Sequence, residues 1–238
     1  MGGFLDTLAN RTELIDRLTR HRVVRLIDRA DVDALLAYAT PRALRARQKL
    51  FSAGDSGAAV YVVVSGWMKL SREGPNGRDI VLEVAGPGTL FGELAVISAT
   101  PRATDAAALT VCRLLCIDGR AVLAALRKNP DAALEVARIL GERLARTTQQ
   151  AEETLFLPAE TRLARALIRL AALDPKPSAK GLDVDLGLSQ RELGEMTGLA
   201  RESINKQLSL WRDAGVVALN GRTLTLIDAQ AIRDVAAE

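Results

Sequence analysis

The spacing of hydrophobic and polar positions changes twice along the chain, which divides it into three segments. Residues 1 to about 48 are charged and helix-like, with scattered apolar positions. From 49 to about 118, short β-branched runs alternate with turns that contain Gly and Pro, and after 119 the apolar positions recur at helical spacing. Many short strands with regular turn signals indicate a β-sandwich or jelly roll in the middle segment.

A long helix is predicted to begin at Pro130. Its apolar and small positions are separated alternately by three and four residues, over about three heptads, which is typical of a helix–helix dimer seam. An amphipathic helix packed on its own domain is the alternative interpretation. The positions of this seam are Leu134, Ala137, Gly141, Leu144, Thr148, Ala151 and Leu155.

The last third of the sequence has the pattern of a winged helix-turn-helix. Ser189 and Glu192 form a capping box at the start of one helix, and Gly198 marks its end. A second helix is predicted from about 200 to 214, and Asn220-Gly221 between two apolar runs indicates the hairpin of a wing. Upstream of this pair, the sequence predicts a helix over 161–173, a loop over 174–181 and a strand over 183–186.

The second helix of this pair is predicted to read DNA, because in such motifs its N-terminal end enters the major groove. Arginine suits guanine O6 and N7, and glutamate accepts from cytosine N4. A solvated helix face with internal charge pairs is the alternative. The predicted DNA-binding residues are Ser189, Gln190, Arg201, Glu202, Ser203 and Lys206.

The run from Phe91 to Thr104, F-G-E-L-A-V-I-S-A-T-P-R-A-T, has the chemistry of a pocket for a small cyclic phosphate. Gly92 permits close approach of the backbone, and 94–97 can form one helical turn. Arg102 offers a planar fork of donors for phosphate oxygens, while ionised Glu93 accepts from a ribose hydroxyl. A turn with a surface salt bridge between Glu93 and Arg102 is the alternative.

Composition excludes several classes of function. Hydrophobic residues make up 48% and aromatic residues 3% of the chain, so the cores are aliphatic. Cys112 and Cys116 lie four apart in a predicted strand, about 13 Å and too far for a disulfide, and with one histidine they make a poor metal, haem or iron–sulfur ligand set. We find no membrane helix, signal peptide or catalytic constellation, and expect a reduced cytoplasmic protein that is not an enzyme and needs no metal.

Charge alone does not predict nucleic-acid binding. The net charge is +3, and in residues 158–238 eleven Lys and Arg are balanced by eleven Asp and Glu. If the last third binds DNA, the fold must therefore cluster its basic residues.

Together these motifs resemble the cyclic-AMP receptor protein/FNR family of bacterial transcription regulators, over roughly residues 30–230. F-G-E-L-A with T-P-R-A resembles the family's phosphate-binding cassette, and R-E-S-I-N-K resembles its recognition helix. The resemblance implies an α+β fold with three parts: a β-roll or jelly-roll cyclic-nucleotide-binding domain (1–129), a long central dimerisation helix (130–157) and a winged helix-turn-helix domain (158–238).

The resemblance also implies roles in binding the nucleotide. Glu93 would take the ribose 2′-hydroxyl, Arg102 the cyclic phosphate, and Thr147 and Thr148 the base, one from each subunit. Ala103 departs from the Ser or Thr of many bacterial members, which removes a hydroxyl contact unless Thr104 supplies it. The implied ligand-binding residues are Leu82, Gly92, Glu93, Leu94, Arg102, Ala103, Thr104, Arg143, Thr147 and Thr148.

The ligand implied is cAMP, with cGMP as the alternative. Domains selective for cGMP resemble P-R-T-A, whereas this chain has P-R-A-T. The implied partners are a second copy of the chain, a two-fold DNA operator with half-sites resembling TGTGA, and RNA polymerase, for which the 174–180 loop is a candidate surface. A ligand-independent regulator with a vestigial pocket, or a sensor of a different effector, remains the alternative.

Overall fold

A computed structural model describes residues 21–74, 77–221 and 223–237. The helix-like pattern at 1–20 lies outside these ranges. The described residues form two compact units, one with residues up to 72 together with 83–145, the other with 73–82 together with residues from 146 onward. None of the helices in the described ranges has an apolar stretch of the length that a bilayer crossing needs.

Eight strands form two four-stranded sheets of a β-roll. One sheet has the order β1-β8-β3-β6 and the other the order β2-β7-β4-β5. The strands are β1 (Ala39–Leu44), β2 (Lys49–Phe51), β3 (Ala59–Ser65), β4 (Met68–Glu73), β5 (Asp79–Ala85), β6 (Leu90–Phe91), β7 (Asp105–Ala108) and β8 (Cys112–Asp118). The jelly-roll prediction for the middle segment is thereby confirmed.

Alternation along β8 explains how the roll acquires two apolar layers. Cys112 and Leu114 join the core that contains Phe51, Met68 and other residues of both sheets. Leu115 and Ile117 point the other way, into a cluster that includes Leu35 and Ala125 of flanking helices. Both cysteines, Cys112 and Cys116, are free thiols, the first buried and the second half-buried.

The helix-like character predicted up to residue 48 is wrong for its last part. Residues 39–44 form β1, which pairs with β8 on one side only. Because β1 is an edge strand, it tolerates Pro41 and the exposed Arg42, two residues that make its sequence look unlike a strand.

The helices of this part of the chain are α1 (Arg29–Ala37), α2 (Glu93–Ser98), α3 (Gly119–Lys128) and the long α4 (Pro130–Phe156), after a single 3-10 turn at Val24–Leu26. Asp118 caps α3 by accepting from the backbone N–H groups of Arg120 and Ala121, and Pro130 begins α4 as predicted. The helix α4 starts in the first unit and ends in the second.

The second unit contains the winged helix-turn-helix. Its elements are α5 (Ala159–Leu173), β9 (Lys176–Ser178), β10 (Gly181–Val184), α6 (Gln190–Thr197), α7 (Arg201–Asp213), β11 (Val217–Asn220), β12 (Thr223–Leu226) and α8 (Ala229–Ala237). The capping box of Ser189 and Glu192 is present, and Gly198 ends α6 with a φ of 68°. Three fully buried leucines of α5, Leu163, Leu167 and Leu170, form the centre of the unit.

The loop predicted over 174–181 contains a strand. Strand β9 pairs with β10, which itself begins two residues before the predicted strand. Pro177 made this segment look like a loop, but β9 is at the edge of the sheet β11-β12-β10-β9, where a residue without an N–H is tolerated.

Candidate functional site

The cassette predicted between Phe91 and Thr104 begins with a tight turn. Gly92 follows β6 with a φ of 81°, in the left-handed region, and α2 starts at the next residue. A Cβ on Gly92 would lie 2.6 Å from Nη1 of Arg102. Glycine is therefore required here for both the turn and the close approach of the arginine.

Arg102 is a buried cation without an acidic partner. It is 4% exposed and donates from Nη1 to the Gly92 carbonyl (2.8 Å) and from Nη2 to the Ala59 carbonyl (2.6 Å). Its Nε is buried without a hydrogen-bond partner. No carboxylate in the part of the chain that the structure describes forms an ion pair with it. Since a buried charge is costly unless it is compensated, Arg102 is suited to an incoming anion.

Aromatic rings hold this guanidinium in place. Its Cζ lies 4.4 Å from the centroid of the Phe51 ring and 5.5 Å from that of Tyr61, and Phe91 packs against both rings. The sequence reasoning missed these residues. A usable signal was their rarity, because two of the four phenylalanines and one of the two tyrosines of the chain gather here.

Glu93, the first residue of α2, is 2% exposed. Its Oε1 accepts from Nη1 of Arg143, while its Oε2 is buried with no hydrogen-bond partner. Burial raises the pKa of the Glu93 carboxyl, and the neighbouring Glu83 adds to the rise, against the opposing charges of Arg143 and Arg102. The alternative of a surface salt bridge from Glu93 to Arg102 is wrong, because Glu93 is buried and pairs with Arg143.

Arg143 on α4 contacts three segments of the first unit. Its Nη1 donates to Glu93 and its Nη2 to the Leu90 carbonyl, while its Nε lies 3.0 Å from Oε2 of Glu83 on β5. That last contact is an ion pair whose N–H is not aligned for a hydrogen bond. Glu83 was not predicted, since nothing in its local sequence distinguishes it from other strand residues.

The structure thus brings together four of the predicted ligand-binding residues: Gly92, Glu93, Arg102 and Arg143. Elsewhere, Leu94 and Ala103 are exposed and Thr104 is half-buried, and the Ala103 carbonyl accepts from Nη1 of Arg72 at 3.0 Å. Leu82 on β5 is half-buried, and Thr147 and Thr148 are exposed neighbours on α4. The ligand contacts of all ten predicted residues stay predictions.

The heptad positions of α4 are uncovered in the protomer. All seven are exposed, and the fractional exposures of Leu134, Leu144 and Leu155 reach 52%, 69% and 76%. A Cβ on Gly141 would meet nothing within 4 Å. An apolar stripe of this length on a water-facing helix is unfavourable unless another surface covers it.

In the second unit, α7 has one buried and one exposed side. Ile204, Leu208 and Trp211 are buried at helical spacing. The predicted DNA-binding residues Arg201, Glu202, Ser203 and Lys206 are exposed. Within the described ranges, the side chains of Arg201, Glu202 and Lys206 make no hydrogen bond or ion pair, which leaves them free to contact a partner.

A cleft of about 490 Å³ is lined by residues from the start of α6, the start of α7 and the wing, together with leucines of the core. Its lining includes Ser189 and Gln190 at the start of α6, Arg201 at the start of α7, and Gly221 of the wing hairpin. The hydroxyl of Ser189 takes part in the capping box: it donates to Oε2 of Glu192 at 2.8 Å and accepts from the Glu192 N–H. Three predicted contact residues therefore line the same cleft as a residue of the wing.

Comparison with known proteins agrees with both halves. The family model of the cyclic nucleotide-binding domain matches residues 41–129, and that of the Crp-like helix-turn-helix domain matches residues 161–235. The cyclic AMP receptor protein of Thermus thermophilus is 30% identical over 206 residues, which cover 87% of this chain and 92% of the relative. The chain belongs to the cyclic-AMP receptor protein/FNR family.

Other members of the family support the same assignment. The CRP-like cAMP-activated global transcriptional regulator of Mycobacterium tuberculosis is 27% identical over 90% of this chain and 96% of its own. The structure of the c-di-GMP responsive regulator CLP of Xanthomonas campestris matches with a TM-score of 0.71 and 26% identity, over 84% of this chain and 99% of that one. FixK2 of Bradyrhizobium japonicum shares the fold, with a TM-score of 0.74 at 20% identity, over 84% and 98%.

Family membership confirms the predicted α+β architecture of β-roll, central helix and winged helix-turn-helix. It also identifies the chain as a cyclic-nucleotide-binding, DNA-binding regulator of transcription and not an enzyme.

Proposed function

We propose that the protein is a homodimer that binds cAMP in its β-roll and, in response, a two-fold DNA operator through α7. The proposal assigns sensing to residues 1–129, dimerisation to 130–157 and DNA binding to 158–238. It assigns the ligand contacts to the ten residues named from the resemblance, with Arg102 on the cyclic phosphate and Glu93 on the ribose 2′-hydroxyl.

The observation that carries the proposal is the buried, uncompensated charge of Arg102. A cyclic nucleotide supplies the missing anion, and its ribose supplies a donor for the orphaned Oε2 of Glu93. One ligand would therefore satisfy two buried groups that the described part of the chain leaves unsatisfied.

Relatives favour cAMP over cGMP. The regulators of Mycobacterium tuberculosis and Haemophilus influenzae are both named as cAMP-activated. The cassette also has Ala103 after the arginine, where cGMP-selective domains have threonine. We take cGMP as the alternative ligand, because hydroxyls of Thr147 and Thr148 could hydrogen-bond either purine.

The exposed stripe on α4 supports the homodimer, because the same stripe on a second copy of the chain would pack against Leu144 and its neighbours and cover them. In such a dimer, one of the adjacent Thr147 and Thr148 can face its own pocket and the other the partner's. Nucleotide binding shifts the dimer toward the DNA-binding arrangement only by its differential affinity for the two states, and that arrangement places the recognition helices about 34 Å apart.

We further propose that RNA polymerase contacts the β9–β10 hairpin. This hairpin includes most of the 174–180 candidate surface, and its strand β9 is exposed. The proposal rests on the family's mode of action and on the accessibility of this edge.

Calorimetric titration of the purified protein with cAMP and, separately, cGMP tests the pocket. We expect saturable binding of about one nucleotide per chain and tighter binding of cAMP. Fluorescence anisotropy of an operator duplex, with and without the nucleotide, then tests whether ligand and DNA binding are coupled. No heat from either nucleotide up to about millimolar concentration would contradict the proposal.

Ala103 favours a second candidate, a regulator whose pocket is vestigial or takes another effector. Its methyl group offers the phosphate no hydroxyl, and Arg102 already donates to two backbone carbonyls. Operator binding that is equally tight with and without cyclic nucleotide would support this candidate.

A further inference from the structure

Arg143 is shared between two carboxylates. Its Nη1 donates to Glu93, and its Nε pairs with Glu83 at 3.0 Å from a different strand. The side chains of Arg143 and Glu83 are 18% and 20% exposed, whereas that of Glu93 is 3% exposed. One cation of limited solvent access therefore compensates two anions, of which the more buried is the proposed acceptor of the ribose hydroxyl.

The sharing has an electrostatic consequence for Glu93. The positive charge of Arg143 stabilises the ionised form of Glu93. Glu83 partly neutralises that charge and also repels the Glu93 carboxylate directly, so both effects of Glu83 disfavour the ionised form. Glu83 is moreover a second anchor for the guanidinium. If Glu93 turns toward a ligand, Arg143 stays tied to β5 through Glu83 and to the Leu90 carbonyl.

We propose that Glu83 is a positioning residue of the nucleotide pocket: it holds one side of Arg143, so that Arg143 only partly neutralises Glu93 and stays in place when Glu93 accepts the ligand's hydroxyl. This inference rests on the proposed function for the identity of the ligand. The contacts among Glu83, Glu93 and Arg143 do not depend on the proposed function.

The direction of the effect follows from the groups around Glu93. It is faced by Arg143 from α4, Glu83 from β5 and Arg102 from the segment before β7, and Arg143 in turn lies near His21. Burial and Glu83 raise the pKa of Glu93 above its usual 4.5. Ligand affinity, which needs the ionised acceptor, therefore weakens as the pH falls through that raised value.

The substitution Glu83→Gln removes the like charge near Glu93 and also the ion pair of Glu83 with Arg143, so both changes lower the pKa of Glu93. Titration with cAMP over a series of pH values should show the midpoint of affinity loss displaced to lower pH in the variant. The control is Asp33→Asn, which removes an exposed carboxylate of α1 and should leave the midpoint unchanged.

A second measurement does not need the ligand. Carbon-13 NMR of labelled glutamate carboxyls, with Glu93 identified by Glu93→Gln, follows its titration in the unliganded protein. Glu83→Gln should lower the titration midpoint of Glu93. The shift should be smaller in an Arg143→Gln background, because the shared cation is then absent.

The cAMP titration and the NMR titration distinguish a failure of the proposed function from a failure of the inference about Glu83. If the wild type binds no cyclic nucleotide, the proposed function fails, and the NMR titration still decides the role of Glu83. An unchanged Glu93 midpoint in Glu83→Gln would overturn the inference. A shift of equal size with and without Arg143 would also overturn it, because Glu83 would then act on Glu93 only by direct repulsion.

Discussion

Contacts within the protein fix the position of Arg102. Two carbonyls and two aromatic faces fix its guanidinium, and its backbone N–H donates to the Asp55 carbonyl at 2.9 Å. A side chain that is held in this way loses little conformational freedom on binding, which favours affinity. The surroundings of the Arg102 side chain are partly apolar. A leucine can therefore take its place, and the substitution leaves no charged group of residue 102 buried there.

Replacement of Arg102 by Leu should leave the fold intact and abolish tight nucleotide binding. The phosphate would enter a partly apolar site with no cation, and we expect a loss of about 3–5 kcal/mol in binding free energy. Calorimetry measures the loss, and circular dichroism checks the fold. Arg42→Leu, which removes an exposed arginine of β1, is the control. An affinity for cAMP within threefold of wild type would contradict the assigned role of Arg102.

At the scale of the element, α4 presents different chemistry on its two sides near its C-terminal end. Leu155 and Phe156 are exposed, whereas Glu153 is buried and pairs with Arg169 of α5, whose Nη1 lies 2.7 and 2.9 Å from its two oxygens. Arg165 adds a longer ion pair of 3.7 Å. The end of α4 is thus bound to the first helix of the winged domain by charge as well as by the covalent chain.

Glu153→Gln should destabilise this junction. The change leaves two arginines without their acid, but they are 29% and 31% exposed, so we expect about 1–3 kcal/mol, less than for a fully buried pair. Urea unfolding followed by circular dichroism measures the difference. The neighbouring exposed Glu152→Gln is the matched control, and equal midpoints for the two variants would show that the pair contributes nothing.

The seam of α4 gives a second prediction at this scale. In a dimer through this helix, Leu144→Glu places a charge at the interface in both copies, and we expect the dissociation constant to rise roughly 10²–10³-fold. Sedimentation analysis at micromolar concentration detects the shift to monomer. Arg146→Glu, which by heptad spacing lies away from the seam, should sediment like the wild type. A Leu144→Glu protein that remains fully dimeric would place the interface elsewhere.

At the scale of the whole molecule, the proposed function requires that α7 reads a base sequence and does not merely bind phosphate. Arg201→Ala should cost about 1–3 kcal/mol on the specific operator and relax one base position, with little change on random DNA. Anisotropy titrations at fixed salt compare the two duplexes. Arg212→Ala, at the far end of α7, is the control. An equal loss on both duplexes would mean that Arg201 contacts only the backbone.

Much of this architecture could be predicted because its signals are local. The capping box at Ser189, the glycine at 198 and the cassette around Gly92 each lie within a few residues of the structure they produce. Strand β1 escaped prediction because edge strands tolerate Pro41 and exposed charge. The Glu83–Arg143 pair escaped because sixty residues separate its members along the chain, and only the tertiary fold brings the two side chains together.

The uncovered stripe on α4 also bears on gene dosage. A regulator that becomes competent only when two copies meet along this helix responds to its own abundance: at concentrations below the dissociation constant, the amount of dimer rises with the square of the amount of chain. If the protein dimerises as proposed, halving expression would then cut the amount of dimer about fourfold, and operator occupancy would fall by the same factor where the operator is far from saturated. The amount of protein that a cell makes would therefore be a second input to the same promoter, beside the nucleotide.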